Sequence, residues 1–178
     1  MIGVLISGTG TNLQALLDAG LPVVAVASNR RDAPALARAR EIPSAAFELA
    51  DYADRAARDI AMADWLTERG VRVVVLAGYM QLLMPAFLER FPGAVVNVHP
   101  SLLPDFPGLH PVEDQLAAGV TESGATVHLV DEGIDSGPIL AQERVPVVPG
   151  DTPETLHERI KAVEHQLLPR VVRDLCAR

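Results

Sequence analysis

The chain opens Met1-Ile2-Gly3-Val4-Leu5-Ile6-Ser7-Gly8-Thr9-Gly10-Thr11-Asn12-Leu13, and this stretch decides the fold. Ile2–Ile6 is a short apolar run without alternation, the pattern of a strand covered on both faces, and glycines follow it directly. From Thr11 the apolar residues take helical spacing, so the stretch predicts strand, glycine turn, helix. The unit recurs. Val- and Ile-rich runs at 22–27, 71–76 and 94–98 are each followed by a helical or turn pattern, which predicts an α/β fold built on a parallel sheet. Helices are predicted over 11–19, 33–40, 54–69, 85–90, 111–118 and 153–175. The last opens Asp151-Thr152-Pro153-Glu154, which supplies an N-cap, an early proline and an acid in the first turn. After residue 120, strands at 125–130 and 139–147 are separated only by the turn-rich segment 131–138, so the sheet is expected to be mixed. No repeat or long linker divides the chain, and residues 1–178 are read as one domain.

Composition bounds the function. A chain of 178 residues buries about 70 % of its unfolded surface, enough for a full core. With 49 % apolar residues and mean hydropathy of only +0.21, no run approaches the length of a membrane span. The net charge of −8 and the lack of a basic stripe argue against nucleic acid as a partner. No basic segment precedes the first apolar run, and Cys176 has no cysteine partner, so a reducing, cytoplasmic setting is expected.

Four features carry candidate chemistry. The loop Ser7-Gly8-Thr9-Gly10-Thr11-Asn12-Leu13 joins a strand to a helix, where backbone N–H groups can cradle an anion. It is not a dinucleotide fingerprint, because Leu13 stands where the third glycine belongs and no acid ends the second strand. It also lacks the Lys-Ser/Thr of a Walker loop. A tight turn needing glycine at positive φ accounts for it equally well.

Asn97-Val98-His99-Pro100-Ser101-Leu102-Leu103-Pro104 ends the fourth predicted strand. Period-two alternation puts Asn97 and His99 on one face, at the carboxyl edge where open α/β sheets bind ligands. An amide beside an imidazole suits a developing oxyanion. Taken singly, Asn97 could cap the strand and His99 could be a hydrogen-bonded core histidine; Ser101 fits a turn role better than that of a nucleophile. Asp135, in a glycine-flanked turn, would stabilise the imidazolium of His99 if the fold brings the two together, and is otherwise an ordinary turn aspartate. Lys161 and Glu164 share a helix face, as a surface ion pair or as a phosphate and sugar contact. His128, between Val127 and Leu129 on a strand, is read as structural. No HxH, HExxH or CxxC spacing links His99, His110, His128 and Asp135, so no metal is expected.

The residues 7–14, Leu76-Ala77-Gly78-Tyr79-Met80, 97–104, Phe106-Pro107-Gly108-Leu109-His110 and Asp135-Ser136-Gly137-Pro138 together resemble the phosphoribosylglycinamide formyltransferase family, in order and over nearly the whole chain. The resemblance implies a single-domain, Rossmann-like formyltransferase fold, a mostly parallel mixed sheet with helices on both faces. It implies that the amine of glycinamide ribonucleotide attacks the formyl carbon of 10-formyltetrahydrofolate, in purine biosynthesis, with Asn97, His99 and Asp135 as catalytic residues. Gly10, Thr11 and Asn12 would hold the phosphate, with Lys161 and Glu164 contributing to phosphate and ribose. The folate would lie against Met80, Gln81, Leu82, Leu83, Asn97, Asp131, Glu132, Gly133 and Ile134, with Arg55 toward its tail. From their spacing alone, Met80, Leu82 and Leu83 fit ordinary core equally. Gln81 and Asp105 depart from the family, which often carries basic residues at both positions. A monomer or homodimer needing no metal is expected.

Similar elements occur in methionyl-tRNA formyltransferase and in formyltetrahydrofolate deformylase. The first usually adds a C-terminal domain and a basic surface, and the second an N-terminal regulatory domain ahead of a strand that here starts at residue 2. Hydrolysis of the donor is the nearest alternative reaction. A non-catalytic nucleotide-binding module with the same fold would be marked by loss of a catalytic position, and all three are present.

Overall fold

The computed structural model describes residues 1–177. Its strands are β1 (Ile2–Ile6), β2 (Val23–Ser28), β3 (Ser44–Ala46), β4 (Val73–Leu76), β5 (Val95–His99), β6 (Glu122–Leu129) and β7 (Ile139–Pro146). They form one seven-stranded sheet in the order β3-β2-β1-β4-β5-β6-β7. Pairing is parallel from β3 through β5 and antiparallel for β5–β6 and β6–β7, so the sheet is mostly parallel and mixed. The helices are α1 (Thr11–Asp18), α2 (Arg55–Glu68), α3 (Pro85–Leu88), α4 (Pro111–Ala117) and α5 (Pro153–Cys176). The chain winds outward in both directions from the adjacent pair β1 and β4, and such a reversal opens a crevice at the carboxyl ends of the strands.

Alternation along the strands sorts the core. Ile2, Val4 and Ile6 pack with Leu13 and Leu16 of α1 and with Leu156, Ile160 and Leu168 of α5. Leu5 faces the other side, with Met62, Ala63 and Leu66 of α2 and Phe87 of α3. Full burial of such a side chain contributes about 1.5–3 kcal/mol, so the two layers hold the sheet from both faces. On β5, Val96 and Val98 belong to the α1/α5 side and Val95 to the α2/α3 side. Asn97 and His99 therefore project on the α2/α3 side.

Several boundaries differ from the sequence reading. The predicted helix 33–40 is a 3-10 turn, Pro34–Arg38, which carries no side-chain cap and is followed at Arg40 by a positive φ of 51°. β3 was not expected: it is three small residues at the sheet edge, without the β-branched signal of a strand. A second 3-10 turn, Leu49–Asp51, was likewise unexpected. β4 begins at Val73 because the Val71 N–H bonds back to the Leu66 carbonyl and closes α2. β6 begins at Glu122, extended by its hairpin with β7. The start of α5 follows the expectation, with Thr152 and Thr155 forming a reciprocal capping box.

Candidate active site

Gly10 caps α1 with a φ of 74°, and a Cβ there would stand 2.5 Å from the Cβ of Ala35. Both conformation and space thus require glycine. No side chain caps α1, so its first-turn N–H groups at Thr11 and Asn12 open toward the crevice, a geometry suited to an anion. Asn12 is buried, and its Nδ2 donates to Glu164 Oε2 at 2.9 Å. Burial pushes the Glu164 carboxyl up, against the opposing effects of the Asn12 hydrogen bond and the Lys161 charge. The anticipated ion pair between Lys161 and Glu164 is not formed: Lys161 Nζ binds Glu158 Oε1 at 2.7 Å, one turn earlier and exposed, while Glu164 turns inward to α1.

The strand register builds the second cluster. In the antiparallel β5–β6 pair, Asn97 stands opposite His128 and His99 opposite Thr126, so all four share one face. His128 Nδ1 donates to the Leu129 carbonyl at 2.9 Å, which leaves Nε2 as an acceptor 3.2 Å from Asn97 Nδ2. The Asn97 amide also reaches Asp135 Oδ1 at 3.4 Å. An imidazole lone pair and a carboxylate both face this atom, which fixes it as nitrogen. His128, read from sequence as structural, is therefore part of the cluster. Its signal was the alternation that sets it opposite to Val127, but the register that meets Asn97 is invisible in sequence.

His99 is 4 % exposed and held at both ring nitrogens. Nε2 lies 2.8 Å from the Phe106 carbonyl and Nδ1 3.4 Å from Asp135 Oδ2. Both partners are acceptors, so the doubly protonated ring satisfies both. Phe106 and Asp135 each adopt positive φ, 53° and 50°, uncommon outside glycine. Asp135 is fixed by the Gly108 N–H at 2.9 Å. Partial burial alone would raise its carboxyl, but the His128 ring 3.6 Å away, the Gly108 hydrogen bond and the charge of His99 outweigh it, and the net shift is downward. Donors from Asn97 and His99 thus converge on one carboxylate through contacts longer than the usual charge-assisted bond of about 2.7–2.9 Å. Catalytic hydrogen bonds often tighten only when substrate arrives.

The Pro100–Pro104 turn is braced from within. Thr126 Oγ1 donates to the Ser101 carbonyl at 2.6 Å and accepts from Leu103 N–H at 3.1 Å, and Ser101 Oγ donates to the Asp105 carbonyl at 2.6 Å. Ser101 is fully buried and serves the turn.

Around this cluster, Leu76 at the end of β4 is in register with Asn97, so the loop that starts at Ala77 leaves beside it. Met80 and Leu82 are 63 % and 53 % exposed, whereas Leu83 is core, which separates residues whose spacing alone fitted core equally. Gln81 is half-buried and accepts from Arg58 at 3.4 Å. Arg55 starts α2 and is exposed. Asp131, Glu132, Gly133 and Ile134 lie exposed on the loop leading to Asp135, and Asp131 Oδ1 shapes that loop by accepting from the Gly133 N–H and the Ser136 hydroxyl. None of these loop residues hydrogen-bonds to Asn97, His99 or His128 among the described residues. No group of three or more metal-ligating side chains occurs among them either.

An α/β sheet with an amide, two imidazoles and a carboxylate gathered at its carboxyl edge has the layout of an acyl-transfer site, and the chain belongs to the formyl transferase family, whose profile matches residues 1–172. Its relatives include phosphoribosylglycinamide formyltransferases. It is 50 % identical over 175 residues to the phosphoribosylglycinamide formyltransferase of Mycobacterium tuberculosis (strain ATCC 25618 / H37Rv), covering 95 % of this chain and 81 % of that one. The crystal structure of glycinamide ribonucleotide transformylase 1 from Symbiobacterium toebii superposes with a TM-score of 0.95 at 47 % identity, covering 97 % of this chain and 85 % of that one. The trifunctional purine biosynthetic protein adenosine-3 of Bos taurus is 44 % identical across 94 % of this chain, which corresponds to 17 % of that protein.

Proposed function

We propose that this chain transfers the formyl group of 10-formyltetrahydrofolate to the amine of 5-phosphoribosylglycinamide, a step of purine biosynthesis. The observation that carries the reading is the clustering of Asn97, His99 and Asp135 within 3.4 Å contacts, in a chain half-identical to an enzyme of that name. The amine nitrogen attacks the formyl carbon, and the bond from that carbon to the folate nitrogen breaks as the tetrahedral intermediate collapses. As the formyl group enters, the Asn97 N–H that reaches Asp135 only at 3.4 Å turns to the developing oxyanion, and the positive charge of the protonated His99 ring stabilises it further. Asp135 holds His99 in its doubly protonated form and passes the amine proton toward the leaving nitrogen through water. No side chain needs to form a covalent adduct.

The N–H groups at the start of α1, of its cap Gly10 and of Thr11 and Asn12, would bind the ribonucleotide phosphate, with Lys161 adding charge and Glu164 accepting from the ribose. Exposed Met80, Leu82 and Ile134, with Gln81, Leu83 and the 131–134 loop, offer apolar surface to the folate pterin, and Arg55 a cation for its acidic tail. The chain would work in the cytoplasm, as a monomer or homodimer, without a metal. Named relatives favour transfer over hydrolysis of the donor. The test follows donor absorbance with and without glycinamide ribonucleotide while the acceptor is weighed by mass spectrometry. Release that requires the acceptor, with a formyl mass gained on it, is expected; release at the same rate without acceptor would mark a hydrolase.

A further inference from the structure

Arg58 and Asp59 of α2 form an ion pair in the core, 1 % and 0 % exposed. Arg58 Nε and Nη2 lie 2.8 Å and 2.7 Å from Asp59 Oδ1. Removing two charges from water costs several kcal/mol per ion, and an apolar pair of similar volume is often as stable. The pair's remaining hydrogen bonds are all directed at one segment. Asp59 Oδ2 accepts from the Met84 N–H at 2.7 Å, and Arg58 Nη1 donates to Gln81 Oε1 at 3.4 Å.

Tyr79 and Leu83 anchor that segment in the core, but its backbone has few partners. Among the described residues, no backbone N–H from Tyr79 to Met84 donates to a backbone carbonyl. Two of them donate to side chains, Met80 to Ser7 Oγ at 2.9 Å and Met84 to Asp59. Between these two pins the chain turns Met80 and Leu82 outward and keeps Leu83 in the core. An irregular loop with so few backbone bonds depends on its side-chain partners for position.

We propose that the buried Arg58–Asp59 pair is a positioning device that fixes the loop from Ala77 to Met84 as one wall of the formyl-donor pocket, and so sets affinity for the donor. This role rests on the formyl-transfer function proposed above. Neither residue touches substrate; both act through Gln81 and the Met84 backbone.

The test is the double variant Arg58→Met/Asp59→Leu, which replaces the pair by apolar side chains, together with Arg58→Lys. The lysine keeps the charge, but its compact head cannot serve Asp59 and Gln81 at once. The double variant should melt near the wild-type temperature, raise the KM for 10-formyltetrahydrofolate about tenfold, and leave kcat at saturating donor within about twofold. The KM for glycinamide ribonucleotide should not move. Native-state hydrogen exchange should show the Met84 amide losing protection in the double variant. Arg58→Lys should give a smaller rise in donor KM, and it decides the matter if the double variant does not fold. Unchanged donor KM in a folded variant, or a fall in kcat alone, overturns the proposal. If the wild type transfers no formyl group, the functional reading fails, and exchange at Met84 still decides whether the pair holds the loop.

Discussion

Asn97 and His128 face each other directly across the β5–β6 pair, and the Asn97 amide donates to His128 Nε2 at 3.2 Å. Because His128 Nδ1 is committed to the Leu129 carbonyl, its Nε2 can only accept while the ring is neutral. The histidine thereby holds the Asn97 amide with its N–H groups toward Asp135. An amide free to rotate would present its oxygen to a developing oxyanion half the time and repel it.

His128→Ala is accordingly expected to lower kcat by about ten- to a hundredfold, the cost of a misplaced oxyanion donor, with little change in either KM. Steady-state kinetics beside a melting curve check this. A variant of normal stability and normal kcat would remove His128 from the mechanism.

His99→Ala removes the ring whose charge stabilises the oxyanion and against which Asp135 is held. The expected loss in kcat is at least about a hundredfold, with both substrates still bound. Equilibrium binding of the ribonucleotide, followed by calorimetry, separates this from a folding defect. Full activity in the variant would sink the mechanism.

Much of this arrangement was legible in sequence, and the rest failed for identifiable reasons. Ile2–Ile6 and its glycine loop announced a parallel sheet because a strand buried on both faces needs no alternation, and Gly10 is required by φ and by Ala35 alike. Asn97 and His99 were legible because period two is local. His128 was not, since its place depends on the register between β5 and β6, strands joined through α4 rather than by a tight turn that would fix their pairing. Nor was the Arg58–Asp59 pair, whose two charges look like solvated helix surface until α2 is laid on the sheet. Lys161 and Glu164 misled because spacing gives a shared face but not the direction of burial, and α1 supplied Asn12 as the better partner for the glutamate.

Lys161 bears on the acceptor alone. Its ammonium now rests on Glu158 at the surface, a pair worth little, so it can be redirected to a phosphate at small cost. Lys161→Ala should raise the ribonucleotide KM about tenfold and leave kcat and donor KM unchanged, and the wild-type advantage should shrink with added salt. A change confined to donor KM would contradict this placement.

Asp151 ties the start of α5 to the strand before it. Two bonds from Arg159, the Val148 N–H and the Thr155 hydroxyl hold its carboxyl far below the usual carboxylate range. A depressed carboxyl contributes stability that is fully present above its unfolded value, about 3.9, and is lost as pH falls toward its folded value. Asp151→Asn should therefore melt lower than wild type at pH 7, with the gap closing steadily below pH 4. A gap constant down to pH 2 would mean that the contribution is not one of charge.

Glu164 has the opposite sign. Burial raises its carboxyl in the folded protein, so across the window above the unfolded value, about 4.3, the folded state holds a proton that the unfolded chain has released. Stability then falls as pH rises through that window. Asn12 Oδ1 is buried without a donor, and a carboxylate beside it offers none. Glu164→Gln supplies an acceptor for Asn12 Nδ2 and an N–H for Asn12 Oδ1, with no charge to bury. The variant should match wild type near pH 4 and exceed it at pH 7 to 8, measured by denaturant unfolding at each pH. Its ribonucleotide KM should rise only severalfold, because an amide oxygen still accepts from a ribose hydroxyl. Parallel stability curves would show that Glu164 is no longer distinguished by its burial, whereas a gain in stability joined to a weaker KM would show a charge retained for binding at the expense of the fold.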